Sequence, residues 1–118
     1  MPAFNFQPRF AGLVASGQKT QTIRKTRRAK VGDTVYLYTG QRTKQCRKLG
    51  EGAVISVTAI RITSRTLITL DEQPINFTRA LYMAYSDGFK STDEMIDWFE
   101  KQHGLPFDGW LYRWSLNK

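Results

Sequence analysis

The sequence predicts an α+β domain, a small, mostly antiparallel β-barrel with helices on its flank. Three observations carry that reading. An amphipathic helix comes first, a series of short β-rich runs follows, and two helices and a closing strand end the order. The chain has 118 residues, enough for one core and too few for two. Hydrophobic residues make up 41% and charged residues 24%, the mixture of an ordinary globular domain. No repeat, linker or low-complexity tract divides the chain, so residues 1–118 are read as a single domain.

The first helix is placed at Arg9–Ser16, where Phe10, Leu13 and Val14 fall on one face. Pro8 suits its start and Gly17 the left-handed residue after its end. A strand is expected at Thr20–Arg24, then a basic loop at Lys25–Lys30 and a turn at Val31–Asp33. Thr34–Tyr38 reads as a strand, with Val35 and Leu37 on one face and Tyr36 and Tyr38 on the other. Gly40–Gly52 reads as a loop. Ala53–Thr63 and Thr66–Leu70 read as strands joined by a tight turn at Ser64 and Arg65. Phe77, Ala80, Leu81 and Ala84 form a helical stripe. Ser91–Glu94 (STDE) fits a capping box that opens a helix carrying Met95, Trp98 and Phe99 and ending at Gly104. Trp110–Leu116 is the closing strand, and Trp98, Trp110 and Trp114 are assigned to the core.

Charge is unevenly spread. The chain carries a net charge of +8, and residues 1–59 hold eleven Lys and Arg against two acids. Residues 60–118 hold seven against eight. Such concentration points to a polyanion, nucleic acid before others, although a basic face also simply keeps a protein dissolved. No apolar run reaches the ~20 residues of a membrane span, and the N-terminus lacks a signal-peptide pattern. One cysteine, Cys46, and one histidine, His103, provide neither a disulfide nor a metal cage. A cytoplasmic monomer without metal or cofactor is the expectation.

The densest polar constellation is Gly17–Arg24 (GQKTQTIR), followed by Val31–Asp33 (VGD). Lys19 can serve as base or anion clamp, Thr22 as nucleophile or hydrogen-bond partner, and Arg24 as an anchor for phosphate or carbonyl oxygen. The plainer alternative is a polar edge strand. In a regular strand Lys19 and Thr22 face opposite sides, so they converge only if Lys19 belongs to the turn. Tyr36 and Tyr38 either stack on bases or lie under a helix. Asp33 reads as a turn residue, and Asp93, Asp97 and Glu100 as a solvated helix face.

This constellation resembles the signature of the ASCH domain, a family related to the PUA-like RNA-binding barrels. The tail agrees: Asp87–Phe89 (DGF), Ser91–Glu94, Trp98, Phe99, Gly104 and the closing strand are similar to the family's last helix and strand. The resemblance runs from about Phe10 to Leu116. It implies a PUA-like fold and a cleft that acts on RNA, as ribonuclease, or on a modified nucleoside, as acetylcytidine amidohydrolase. Carried over residue by residue, the catalytic set falls on Lys19, Thr22 and Asp87, where Asp87 is one methylene shorter than the family's Glu. Arg24, Tyr38, Arg27, Arg28, Arg42, Lys44, Arg47 and Lys48 are then the substrate-binding, phosphate-facing residues. A non-catalytic RNA-binding module using the same face is the alternative. Amide hydrolysis requires a neutral Lys19, well below the ~10.4 of a free lysine.

Overall fold

The computed structural model describes residues 2–117. It consists of β1 (Ala3–Phe6), α1 (Pro8–Ser16), β2 (Gln21–Arg24), β3 (Thr34–Thr39), β4 (Arg47–Ser64), β5 (Leu67–Leu70), β6 (Gln73–Pro74), α2 (Phe77–Ser86), α3 (Thr92–His103) and β7 (Phe107–Leu116). The seven strands form one sheet, antiparallel except where β1 runs parallel to β3. The fold is therefore α+β, as its sequence predicts.

β4 is the spine. Its first part pairs with β3, its last part with β5, and ten of its residues with β7. β2 pairs with the other edge of β7. The expected barrel does not close. β1 and β2 face each other without a ladder, and the Arg24 Nη2 donates across the gap to the Asn5 carbonyl at 2.8 Å.

The apolar alternation of β3 holds: Val35 and Leu37 are fully buried, and Tyr36 and Tyr38 are half-buried on the opposite face. The interior of the curled sheet is aromatic. Phe4 lies 5.0 Å from Tyr112 and 6.4 Å from Trp114, centroid to centroid, and Phe6 lies 5.9 Å from Trp114. Tyr112 buries its ring because its hydroxyl is satisfied. The Oη accepts from the Arg28 N–H at 2.7 Å and donates to the Thr26 carbonyl at 3.0 Å. That pair also pins the basic loop to β7.

Three further expectations are corrected. Arg47–Gly52 is the start of β4 and not loop. Gly50 and Gly52 suggest a loop, but Gly52 marks a close approach: a Cβ there would sit 2.8 Å from the Ser115 carbonyl oxygen and 2.9 Å from Trp114 Cδ1. Phe77 is 76% exposed. α2 buries Ala80, Met83 and Ala84, so Phe77, one turn earlier, overhangs the end of the core. Of the three tryptophans, only Trp114 belongs to the buried core; Trp98 and Trp110 pack against it half-exposed.

Both helix ends next to the candidate site follow from local chemistry. Gly17 takes φ 84° and its N–H donates to the Val14 carbonyl, terminating α1. Ser91 accepts from the Glu94 N–H at 3.1 Å and starts α3, with Asp93 and Glu94 in its first turn.

Candidate active site

α1 stops at Gly17 and the chain turns back on itself, so that the Lys19 N–H donates to the Leu13 carbonyl at 3.0 Å. β2 begins only at Gln21, which places Lys19 in the turn. This is the condition under which Lys19 and Thr22 can share a hollow, and both line the same one. From the other direction, α2 ends at Asp87, whose N–H donates to the Met83 carbonyl. Gly88 then takes φ 96° against the ring of Phe10.

Lys19 and Asp87, 68 residues apart, meet here. The Lys19 ammonium lies 3.0 Å from Asp87 Oδ1 and donates to the Asp87 carbonyl at 2.6 Å. It thus sits at the negative end of the α2 dipole. Lys19 is 3% exposed and Asp87 4%. Gln21, which sequence reasoning passed over, donates to Asp87 Oδ1 and to the Met83 carbonyl, each at 3.3 Å. Gln21 shares the parity of Lys19 and Ile23, and all three are buried.

Thr22 forms a second pair. Its Oγ1 accepts from Arg24 Nε at 2.9 Å. Among the described residues no hydrogen bond joins Thr22 to Lys19. Arg24 lies 5.2 Å from the centroid of Phe4 and 5.0 Å from that of Phe6, and Lys19 lies 5.0 Å from that of Phe10.

These groups line a pocket of about 270 Å³. Its floor carries Lys19, Thr22, Arg24 and Asp87. Its walls are Phe6, Phe10, Phe89, Trp98 and Phe99, and Asn5, Gln7, Lys25 and His103 complete the lining. The volume is close to the ~300 Å³ lower bound of drug-sized sites. An aromatic-walled space of that size suits one flat polar ring.

Burial sets the protonation tendencies. Desolvation lowers the Lys19 pKa, Asp87 opposes it, and Arg24 and Arg9 add to the lowering. Desolvation raises the Asp87 pKa, against the pull of Lys19, Gln21 and Arg24. Burial thus works against both charges, and the mutual attraction of Lys19 and Asp87 works to keep them. Arg24 is brought down to about 10, mainly by burial. His103 is lowered by burial and then by Lys25.

The other sequence candidates lie outside the pocket lining. Tyr38 is on the outer face of β3, paired in register with Lys48, and Lys48 is ion-paired with Glu51. Arg27 lies over the ring of Trp110 at 5.1 Å. Arg28 is exposed at the Tyr112 anchor. Arg42 and Lys44 are exposed on the β3–β4 loop, which the Asn5 side chain holds by accepting from the Gln41 N–H at 2.9 Å. Arg47 is exposed at the start of β4, opposite Thr39. Among the described residues Arg27, Arg28, Arg42, Lys44 and Arg47 have no carboxylate within ion-pair distance, whereas Arg61 and Arg65 do. Asp93 and Asp97 are the partners of Arg65, which fits the solvated-face reading.

Among the described residues no helix is long and apolar enough to cross a membrane. Comparison with protein-family models, with curated proteins and with solved structures yields no match.

Proposed function

We propose that this chain is an ASCH-type domain of PUA-like ancestry that admits one base of RNA, or a modified nucleoside, to the pocket and hydrolyses an acyl amide on it. N4-acetylcytidine is the substrate that best fits the available chemistry. The observation that carries the reading is the convergence of Lys19, Thr22 and Arg24 on one aromatic-walled pocket of about 270 Å³.

The Thr22 hydroxyl attacks the acetyl carbon, and its proton passes to the neutral Lys19 amine. Arg24 Nε, already hydrogen-bonded to Thr22 Oγ1, stabilises negative charge that develops there. Collapse breaks the carbon–nitrogen bond, and Lys19 returns the proton to the leaving amine. Water then hydrolyses the acyl-threonine to acetate. Asp87 keeps the Lys19 amine in place and exchanges a proton with it. Phosphodiester cleavage is the weaker fit, because it asks Asp87 to reach a 2′-hydroxyl while the carboxylate is buried beneath Lys19 and Gln21.

The test is turnover of N4-acetylcytidine, free and within a short RNA. Lys19→Ala and Thr22→Ala should each abolish deacetylation while most affinity survives. If the wild-type protein deacetylates neither substrate and Lys19→Ala only weakens binding, the enzyme reading fails. The exposed, unpaired cations then favour the second reading, a non-catalytic RNA-binding module in the cytoplasm.

A further inference from the structure

Lys25 belongs to two hollows. It lines the candidate active-site pocket and also a second hollow of about 330 Å³ bounded by Ala59, Arg61, Glu72, Asp108 and Trp110. The two are therefore one lysine side chain apart. The second hollow has the parts of a nucleotide site. Trp110 is half-exposed and lines the hollow, and the Arg27 guanidinium lies 5.1 Å from its ring centroid. Lys25, Arg27, Arg28 and Lys30 give the adjoining loop four cations and no acid. The Asp108 carboxylate is engaged by Arg61 at 3.3 Å. Glu72 has no partner among the described residues and is an acceptor suited to an exocyclic base amine, as on cytosine.

We propose that this second hollow seats the base of the nucleotide next to the one in the pocket, so that the substrate is a residue within an RNA strand rather than a free nucleoside. Trp110 stacks on the neighbouring base, Glu72 accepts from its amine, and Lys25 meets the phosphate between the two nucleotides. This rests on the nucleic-acid reading above and narrows it.

The experiment measures binding and deacetylation of free N4-acetylcytidine and of short oligoribonucleotides with one central acetylcytidine, flanked by cytosine or by uracil. The wild-type protein should prefer the cytosine-flanked strand over the free nucleoside. Trp110→Ala should weaken strand binding roughly 5- to 150-fold, the range expected for removing one base stack, and leave the nucleoside affinity unchanged. Trp110→Phe should restore most of the loss, and it covers the case in which the alanine variant does not fold. Glu72→Gln should remove the cytosine-over-uracil preference. Equal affinity for strand and nucleoside in the wild-type protein, or a flanking preference untouched by Glu72→Gln, would overturn the proposal. Strand binding that depends on Trp110 without any deacetylation would retain the second hollow and remove the hydrolase. Deacetylation of free nucleoside with no gain from a strand would do the reverse.

Discussion

Asp87→Asn isolates the interaction on which the candidate site is built. It keeps the side-chain shape but withdraws the negative charge 3.0 Å from the Lys19 amine. Lys19 is 3% exposed and, among the described residues, pairs with no other carboxylate, so the ammonium is left buried against neutral acceptors, the backbone carbonyl of residue 87 and the new amide oxygen. Breaking a buried ion pair from one side costs about 3–5 kcal/mol. Unfolding entropy for 118 residues is about 0.25 kcal/mol/K, so each kcal/mol moves the midpoint by about 4 °C and the expected drop in Tm is about 12–20 °C. The loss also depends on pH. Without Asp87 the folded-state pKa of Lys19 lies further below its unfolded value, so the unfolded chain binds the extra proton between the two. Stability of the variant therefore rises with pH across that interval and is restored above about 10.5. Thermal denaturation followed by circular dichroism at neutral pH and at pH near 10 measures both effects. A drop of less than about 4 °C at neutral pH, or a drop that does not shrink in alkali, would show that no charged Lys19–Asp87 pair is buried in the folded state.

The double replacement Lys19→Met with Asp87→Leu should be close to neutral or stabilising by about 1–4 kcal/mol in urea denaturation, although each single change destabilises. Gly109→Ala should destabilise by about 1–3 kcal/mol or more, because a Cβ there would lie 2.6 Å from the Arg24 carbonyl oxygen and 2.7 Å from the Phe107 ring; equilibrium denaturation reads this directly. Ser91→Ala should cost about 1 kcal/mol through loss of the bond to the Glu94 N–H, measured the same way. RNA affinity should fall with salt, and removing Arg42, Lys44 or Arg47 should reduce the log–log slope by about 0.7 for each phosphate no longer neutralised; a slope that none of the three alters would move the RNA path elsewhere.

Local signals were legible where one residue type has one reason to be present. Gly17 in the left-handed region, the Ser91 cap and the alternation of Val35 and Leu37 all stand as read. The β1 strand was not legible. Four residues, AFNF, hold too short an alternation to signal a strand, and its place is set by parallel pairing with β3, 33 residues away. The start of β4 was masked by Gly50 and Gly52, which look like loop residues until the packing of Trp114 is known. At the candidate site, the turn position of Lys19 decides its convergence with Thr22, and sequence spacing alone left that open. The meeting of Lys19 with Asp87 came from family resemblance and not from spacing. Gln21 was missed because a glutamine in a polar run draws no attention until its neighbours prove buried.

The gap between β1 and β2 is spanned by a guanidinium where a continuous sheet would place a row of peptide bonds. Those two edges are joined by the Arg24 contact to Asn5 and by the packing of Arg24 over Phe4 and Phe6, so they part only when both yield together. Amide protons on the unpaired edge of β1 should therefore exchange with solvent before those of β4 and β7, which are paired on both edges. Asn5, Phe6 and Arg24 also line the pocket, so an occupant that bridges the two edges would slow that exchange.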